Sequence, residues 1–218
     1  KVIQNEEFRY YLGFVVVISI VVSVILYFTQ YHRWEESIRH GTFQVVSIMT
    51  TTGYVTSDYI QWIPLLSVIL LMLMFIGGSA GSTAGGIKVV RILIFFKNSV
   101  MELSRMLHPN AVIPVKFNKN AVSQEELNNV FAFISFYLLT ALVGVIVLSS
   151  MDYNFGSSLG AVATTMGNIG PGLGAFGPME NFNHVPIFGK WFLSFLMIIG
   201  RLELFTVLIL FSPGFWRK

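Results

Sequence analysis

The stretch Thr50-Thr51-Thr52-Gly53-Tyr54 lies between two long apolar segments, and it returns in the second half of the chain as Thr164-Thr165-Met166-Gly167-Asn168 in the same setting. Working outward from the first copy, an uncharged segment covers 10–29, a shorter segment covers 41–50, the turn covers 51–54 and a mainly apolar stretch covers 62–96. Around the second copy the corresponding pieces are 130–151, 157–165, 165–168 and 191–211. The chain therefore reads as an internal repeat, with a first unit over 1–97, a connecting stretch over 98–127 and a second unit over 128–218.

Composition sets the environment. Of the 218 residues, 54% are hydrophobic and 11% charged, whereas about a quarter of the residues of a soluble domain are charged. At about 1.5 Å per residue, the segments 10–29 and 130–151 each reach across a hydrocarbon core of roughly 30 Å. The segments 41–50 and 157–165 cannot, so they are expected to enter and turn back as half-helices. Non-helical backbone at that depth survives only where protein buries it or where it lines a wet cavity. The expectation is an all-α integral membrane protein of two helix, pore half-helix, turn, helix repeats.

Other classes are disfavoured. There is no cysteine, which removes disulfides and thiolate metal sites. His32, His40, His108 and His184 fall without metal-ligand spacing, so a membrane-embedded enzyme lacks its constellation, and no organic cofactor is implied. The net charge of +3 comes from scattered residues beside apolar segments, a topology signal rather than a nucleic-acid footprint. Lys1, Arg9, Arg91, Lys97, Arg105, Lys116, Lys119, Arg217 and Lys218 mark one side of the membrane against Arg33, Arg39 and Lys190 on the other. The richer side should be cytoplasmic, and with it both termini. The chain opens at Lys1 with no Met start or signal pattern, and is read as a piece of a longer protein.

The two Thr/Gly turns suit a monovalent cation. Rings of backbone carbonyls replace an ion's hydration without burying a fixed countercharge, as in potassium channels. Glycine allows a carbonyl to turn toward the axis with positive φ, and threonine adds a hydroxyl oxygen. A half-helix directs its C-terminal carbonyl dipoles at the same point. Sodium is not excluded by this chemistry, and neither turn carries the second glycine of the Thr-Val-Gly-Tyr-Gly channel signature, so a short filter is expected. Close helix packing by small residues is the competing reading of each turn, weakened by the duplication.

The stretch 62–96 would extend about 52 Å as one helix, and its middle is Gly77-Gly78-Ser79-Ala80-Gly81-Ser82-Thr83-Ala84-Gly85-Gly86. The glycines should break it below the turns, leaving an intramembrane loop able to act as a gate. Its likeness to a phosphate loop fails, because Ile87 separates Gly86 from Lys88 and no Ser or Thr follows the lysine. Arg201 falls about 15 Å into the last helix, where an arginine is costly and marks function. The loop carbonyls are its expected partners, making it a cationic latch. Lys88 is read as an interfacial lysine that snorkels.

Together the glycine run through Lys88, His108-Pro109-Asn110-Ala111-Val112, Gly170-Pro171-Gly172-Leu173-Gly174 and Gly200-Arg201-Leu202-Glu203-Leu204-Phe205-Thr206 resemble the membrane subunit of bacterial Trk-type potassium uptake systems, more than the sodium-dependent Ktr systems. The resemblance runs end to end and covers the third and fourth of that family's four repeats. It implies potassium transport or symport in the bacterial inner membrane, with potassium as the substrate. It also implies that Thr51, Thr52, Gly53 and Tyr54, with Thr165, Met166, Gly167 and Asn168, offer carbonyls to potassium. The loop from Gly77 to Gly86 would be the gate and Arg201 its partner. The implied partners are the missing first and second repeats or another copy, a second protomer in a homodimer, and a cytosolic nucleotide-binding regulatory ring. Sodium-coupled or less selective cation transport is the nearest alternative.

Overall fold

A computed structural model describes residues 5–108, 113–202, 204–211 and 213–216. Lys1, Pro109 to Val112 of the linker motif, Glu203, Arg217 and Lys218 lie outside the described residues.

The chain is helical, with one two-stranded hairpin among the described residues. α1 (Glu6–Leu26) starts where Asn5 accepts a hydrogen bond from the Glu7 amide, and it continues as a π turn to Tyr31 before His32 adopts a left-handed conformation. α2 (Trp34–Met49) begins well before the expected half-helix at 41–50, because Arg33 is extended and the polar turn that follows is already helical. α3 (Pro64–Phe75) has proline in its first turn, where the missing N–H costs nothing. α4 (Val89–Leu107) runs well past 96, over residues that the sequence pattern places in the connecting stretch 98–127.

The linker that remains forms a tight hairpin, β1 (Lys116–Phe117) paired antiparallel with β2 (Asn120–Ala121). It docks on the start of α1, where Asn118 accepts from the Glu6 amide at 2.9 Å and Glu6 pairs with Lys97 at 2.5 Å. α5 (Gln124–Ser149) opens with a Ser123 and Glu126 capping box. α6 (Phe155–Gly167) is capped by Asn154. The last apolar stretch is divided into α7 (Ile187–Arg201), α8 (Leu204–Leu210) and α9 (Pro213–Trp216), where a single helix over 191–211 was expected.

α1 with its extension and α5 are long and apolar enough to cross a membrane. Val16, Val17 and Ile20 on α1 and Leu138, Leu142 and Ile146 on α5 are exposed. Such an outward apolar face is costly in water and stable against lipid or further helices. Each repeat has its own apolar core, one around Leu26, Ile48 and Leu70, the other around Leu148, Val162 and Leu196. The cores interlock, since Ala163 and Ile169 of the second repeat belong to the first core and Ile87 of the first belongs to the second. Tyr59, fully buried, donates from its hydroxyl to the Gly172 carbonyl at 2.7 Å and ties the repeats together beyond the turns.

Candidate functional site

The first reversal follows α2. Thr51 is left-handed at φ 55° and Gly53 at φ 77°. The amides of Thr51 and Thr52 donate back to the carbonyls of Ile48 and Ser47, at 3.0 and 2.9 Å, which closes the helix end and frees the chain to turn. In the second repeat the same pattern occurs about one helical turn later than the sequence repeat implies. Asn168, at φ 55°, donates from its amide to the Thr165 carbonyl, and Ile169 donates to the Thr164 carbonyl at 3.0 Å. Gly170 then takes φ 118°. By geometry Thr51, Thr52 and Gly53 correspond to Asn168, Ile169 and Gly170.

This corrects the expected register. Thr165, Met166 and Gly167 are buried inside α6, and their carbonyls face elsewhere. That of Thr165 accepts from Asn168, that of Met166 abuts Gly200, and that of Gly167 abuts Gly85. The physical reason is that nothing stops α6 before Asn168, a residue type that tolerates the left-handed conformation. The signal that could have found it is Asn168-Ile169-Gly170-Pro171, two residues suited to positive φ followed by one that cannot continue a helix. Tyr54 also differs from expectation, since its carbonyl accepts a hydrogen bond from Ser47 Oγ at 2.7 Å and is directed back at α2.

The two reversals meet. A Cβ added to Gly53 would overlap the Ile169 carbonyl oxygen, and Pro171 lies close by. Open clefts border both, one of about 560 Å³ beside Thr50, Thr52 and Tyr54 and one of about 400 Å³ beside Thr164, Asn168 and Gly170. Thr50 and Thr52 share a hydrogen bond between hydroxyls at 2.7 Å.

The glycine run forms a loop between α3 and α4 that is pinched at its base. Gly77 donates to the Ile87 carbonyl at 2.8 Å, and Ile87 donates to that of Phe75 at 2.9 Å. The loop lies directly under the second reversal, with Gly85 so close to the Gly167 carbonyl that a Cβ there would overlap it. Two charged groups hold the loop, and no local sequence signal ties either to it. Lys88 is buried, 8% exposed, and donates from Nζ to the carbonyls of Ser82 and Ala84, each at 2.7 Å. Glu7, also 8% exposed, accepts the Ala80 amide at 2.5 Å. Lys88 thus does not snorkel, because loop carbonyls wrap the ammonium where water would otherwise be needed.

Arg201 ends α7 with an exposed side chain. It has no hydrogen-bond or ion-pair partner among the described residues, so the cation on the loop carbonyls is Lys88. Its neighbour Gly200 lies against Met166, and Asn168 Nδ2 donates to the Met197 carbonyl at 3.0 Å. The end of α7 and the loop therefore flank the same end of α6.

Two interlocked units, each a long apolar helix, a shorter helix ending in a left-handed reversal and a returning helix, give the chain a mostly helical, potassium-channel-like architecture. The profile described as TrkH, cation transport protein, matches residues 11–218, and the chain belongs to that family. It is 39% identical over 216 residues to the Trk system potassium uptake protein TrkH of Escherichia coli strain K12, covering 99% of this chain and 44% of that protein. It is 38% identical to the protein of the same name from Halomonas elongata, over 99% of this chain and 44% of that one. The crystal structure of the potassium transporter TrkH from Vibrio parahaemolyticus superposes with a TM-score of 0.92 at 38% identity, covering 99% of this chain and 46% of that chain. The chain thus spans less than half the length of the relatives it matches.

Proposed function

We propose that these residues form half of a potassium permeation path in a bacterial inner membrane, with Thr51, Thr52, Gly53, Asn168, Ile169 and Gly170 contributing filter oxygens. Two further repeats, in the same polypeptide or in another copy, complete the ring, and a homodimer served by a cytosolic nucleotide-binding ring is the assembly that the family resemblance implies. The contact of Gly53 with Ile169 carries this reading, since it brings both reversals to one place at the ends of two half-helices. A dehydrated cation there is favoured by the carbonyl dipoles at the C-termini of α2 and α6. Potassium passes on toward the loop 77–86, which acts as the gate. Lys88 and Glu7 fasten that gate, and Arg201 adds a positive charge beside it.

The mechanism is stepwise dehydration and rehydration with no covalent chemistry. The test is ion density in the complete transporter prepared with rubidium. Density between Gly53 and Gly170 is expected, and density confined to other places would overturn the assignment. Sodium-coupled transport on the same scaffold would show instead as rubidium uptake that requires external sodium.

A further inference from the structure

Behind each reversal stands one buried hydroxyl at the corresponding position of the half-helix. Ser47 is 4% exposed and Thr164 is 1% exposed. Each also supplies the main-chain carbonyl that receives the middle residue of its reversal, Thr52 at 2.9 Å and Ile169 at 3.0 Å. Their side chains act in opposite senses. Ser47 Oγ donates to the carbonyl of Tyr54, the residue after the glycine, at 2.7 Å. Thr164 Oγ1 accepts the amide of Gly170, the glycine itself, at 3.0 Å.

We propose that Ser47 and Thr164 are positioning residues for ion discrimination: buried hydroxyl braces that each fix one peptide plane near a filter glycine, the Tyr54–Val55 peptide just beyond Gly53 and the Ile169–Gly170 peptide just before Gly170. This rests on the filter reading above and deepens it. A carbonyl-lined site distinguishes cations of one charge by how far its oxygens can relax around the smaller ion. The Ser47 bond holds the Tyr54 carbonyl, and with it the peptide between Tyr54 and Val55, back against α2, so the chain leaving Gly53 cannot shift to collapse around sodium. The Thr164 bond fixes the peptide between Ile169 and Gly170, and with it the Ile169 carbonyl that lies against Gly53. The second brace should matter more, because without it a backbone N–H beside the cavity loses its acceptor.

The experiment uses the complete transporter in cells lacking other potassium uptake, with uptake normalised to protein in the membrane. Ser47→Ala and Thr164→Val are expected to lower the preference for rubidium over sodium by roughly five-fold each, the scale of one neutral hydrogen bond. Thr164→Val should give the larger loss. Ser47→Thr and Thr164→Ser, which keep a hydroxyl, should restore the ratio, a rescue that a mere packing role would not produce for the smaller serine. If Thr164→Val does not accumulate, Thr164→Cys, with a weaker hydrogen-bonding group of similar reach, should give a ratio below those of Thr164→Ser and the unaltered protein, and an equal ratio would count against the brace. Gly53→Ser separates the two levels of inference. An altered ratio in Gly53→Ser with unchanged ratios in Ser47→Ala and Thr164→Val would overturn the braces alone. Unchanged ratios in all three would overturn the filter reading and the braces with it.

Discussion

The carbonyl oxygen of Ile169 rests against the α-carbon of Gly53, leaving no room for a side chain between the two repeats. This contact joins residues from opposite halves of the chain and brings the two reversals together. It depends on Gly53 twice over, for space and for a φ of 77° that other residues adopt at a cost.

Gly53→Ser is therefore expected to raise sodium permeability relative to potassium, and Gly170→Ser to do the same. Gly167→Ala should behave differently, because its Cβ would approach the Met74 carbonyl inside the helical packing. It should lower the yield of folded protein and leave the ion ratio of the surviving fraction unchanged. Flux ratios for rubidium and sodium test the assignment, and a selectivity change in Gly167→Ala matched by none in Gly170→Ser would restore the register read from the sequence.

Lys88→Met would leave the carbonyls of Ser82 and Ala84 without their donor, at a cost of about 1–3 kcal/mol for an unpaired buried group. Much of that strain is relieved if the loop opens toward water. Basal rubidium uptake should rise, and rise more than in Arg201→Ala, because Lys88 is the cation bonded to the loop. Deletion within 78–85 sets the upper limit of the effect. Equal or lower uptake in both variants would remove the loop from control of flux.

Glu7→Ala should release the Ala80 amide. Hydrogen exchange of the peptide containing Ala80 is expected to speed up by an order of magnitude, the scale of losing one charge-assisted bond of about 1.5–3 kcal/mol. Glu7→Gln should fall between the two. Since Glu6 on the same turn is tied to Lys97 and Asn118, α1 also links the loop to the hairpin. Unaltered exchange at Ala80 in Glu7→Ala would show that the carboxylate does not fasten the loop.

Tyr59→Phe removes the hydroxyl that bonds Gly172 across the repeats. A loss of about 1–3 kcal/mol is expected from the buried carbonyl left unpaired, seen as a lower melting temperature in detergent. An unchanged melting temperature would mean that water replaces the hydroxyl there.

Much of the site was legible because its signals are local. Gly53 announces a positive φ, and the glycine run from Gly77 announces a break. The position of the second reversal was not, since Thr164-Thr165-Met166-Gly167 imitates the first turn while its backbone remains helical. Nor were the roles of Lys88 and Glu7, which depend on neighbours far along the chain or on the path of a loop with no periodicity to read.

The amino-acid order alone determined a membrane protein of two like repeats, because apolar length and the spacing of charges settle what can cross a bilayer, whatever the packing. Only the tertiary structure decided which oxygens meet and which cation holds the loop. Those outcomes turn on the ångström-scale approach of Gly53 to Ile169 and on where helix α6 ends, and a residue's type does not encode the partner that folding brings to it.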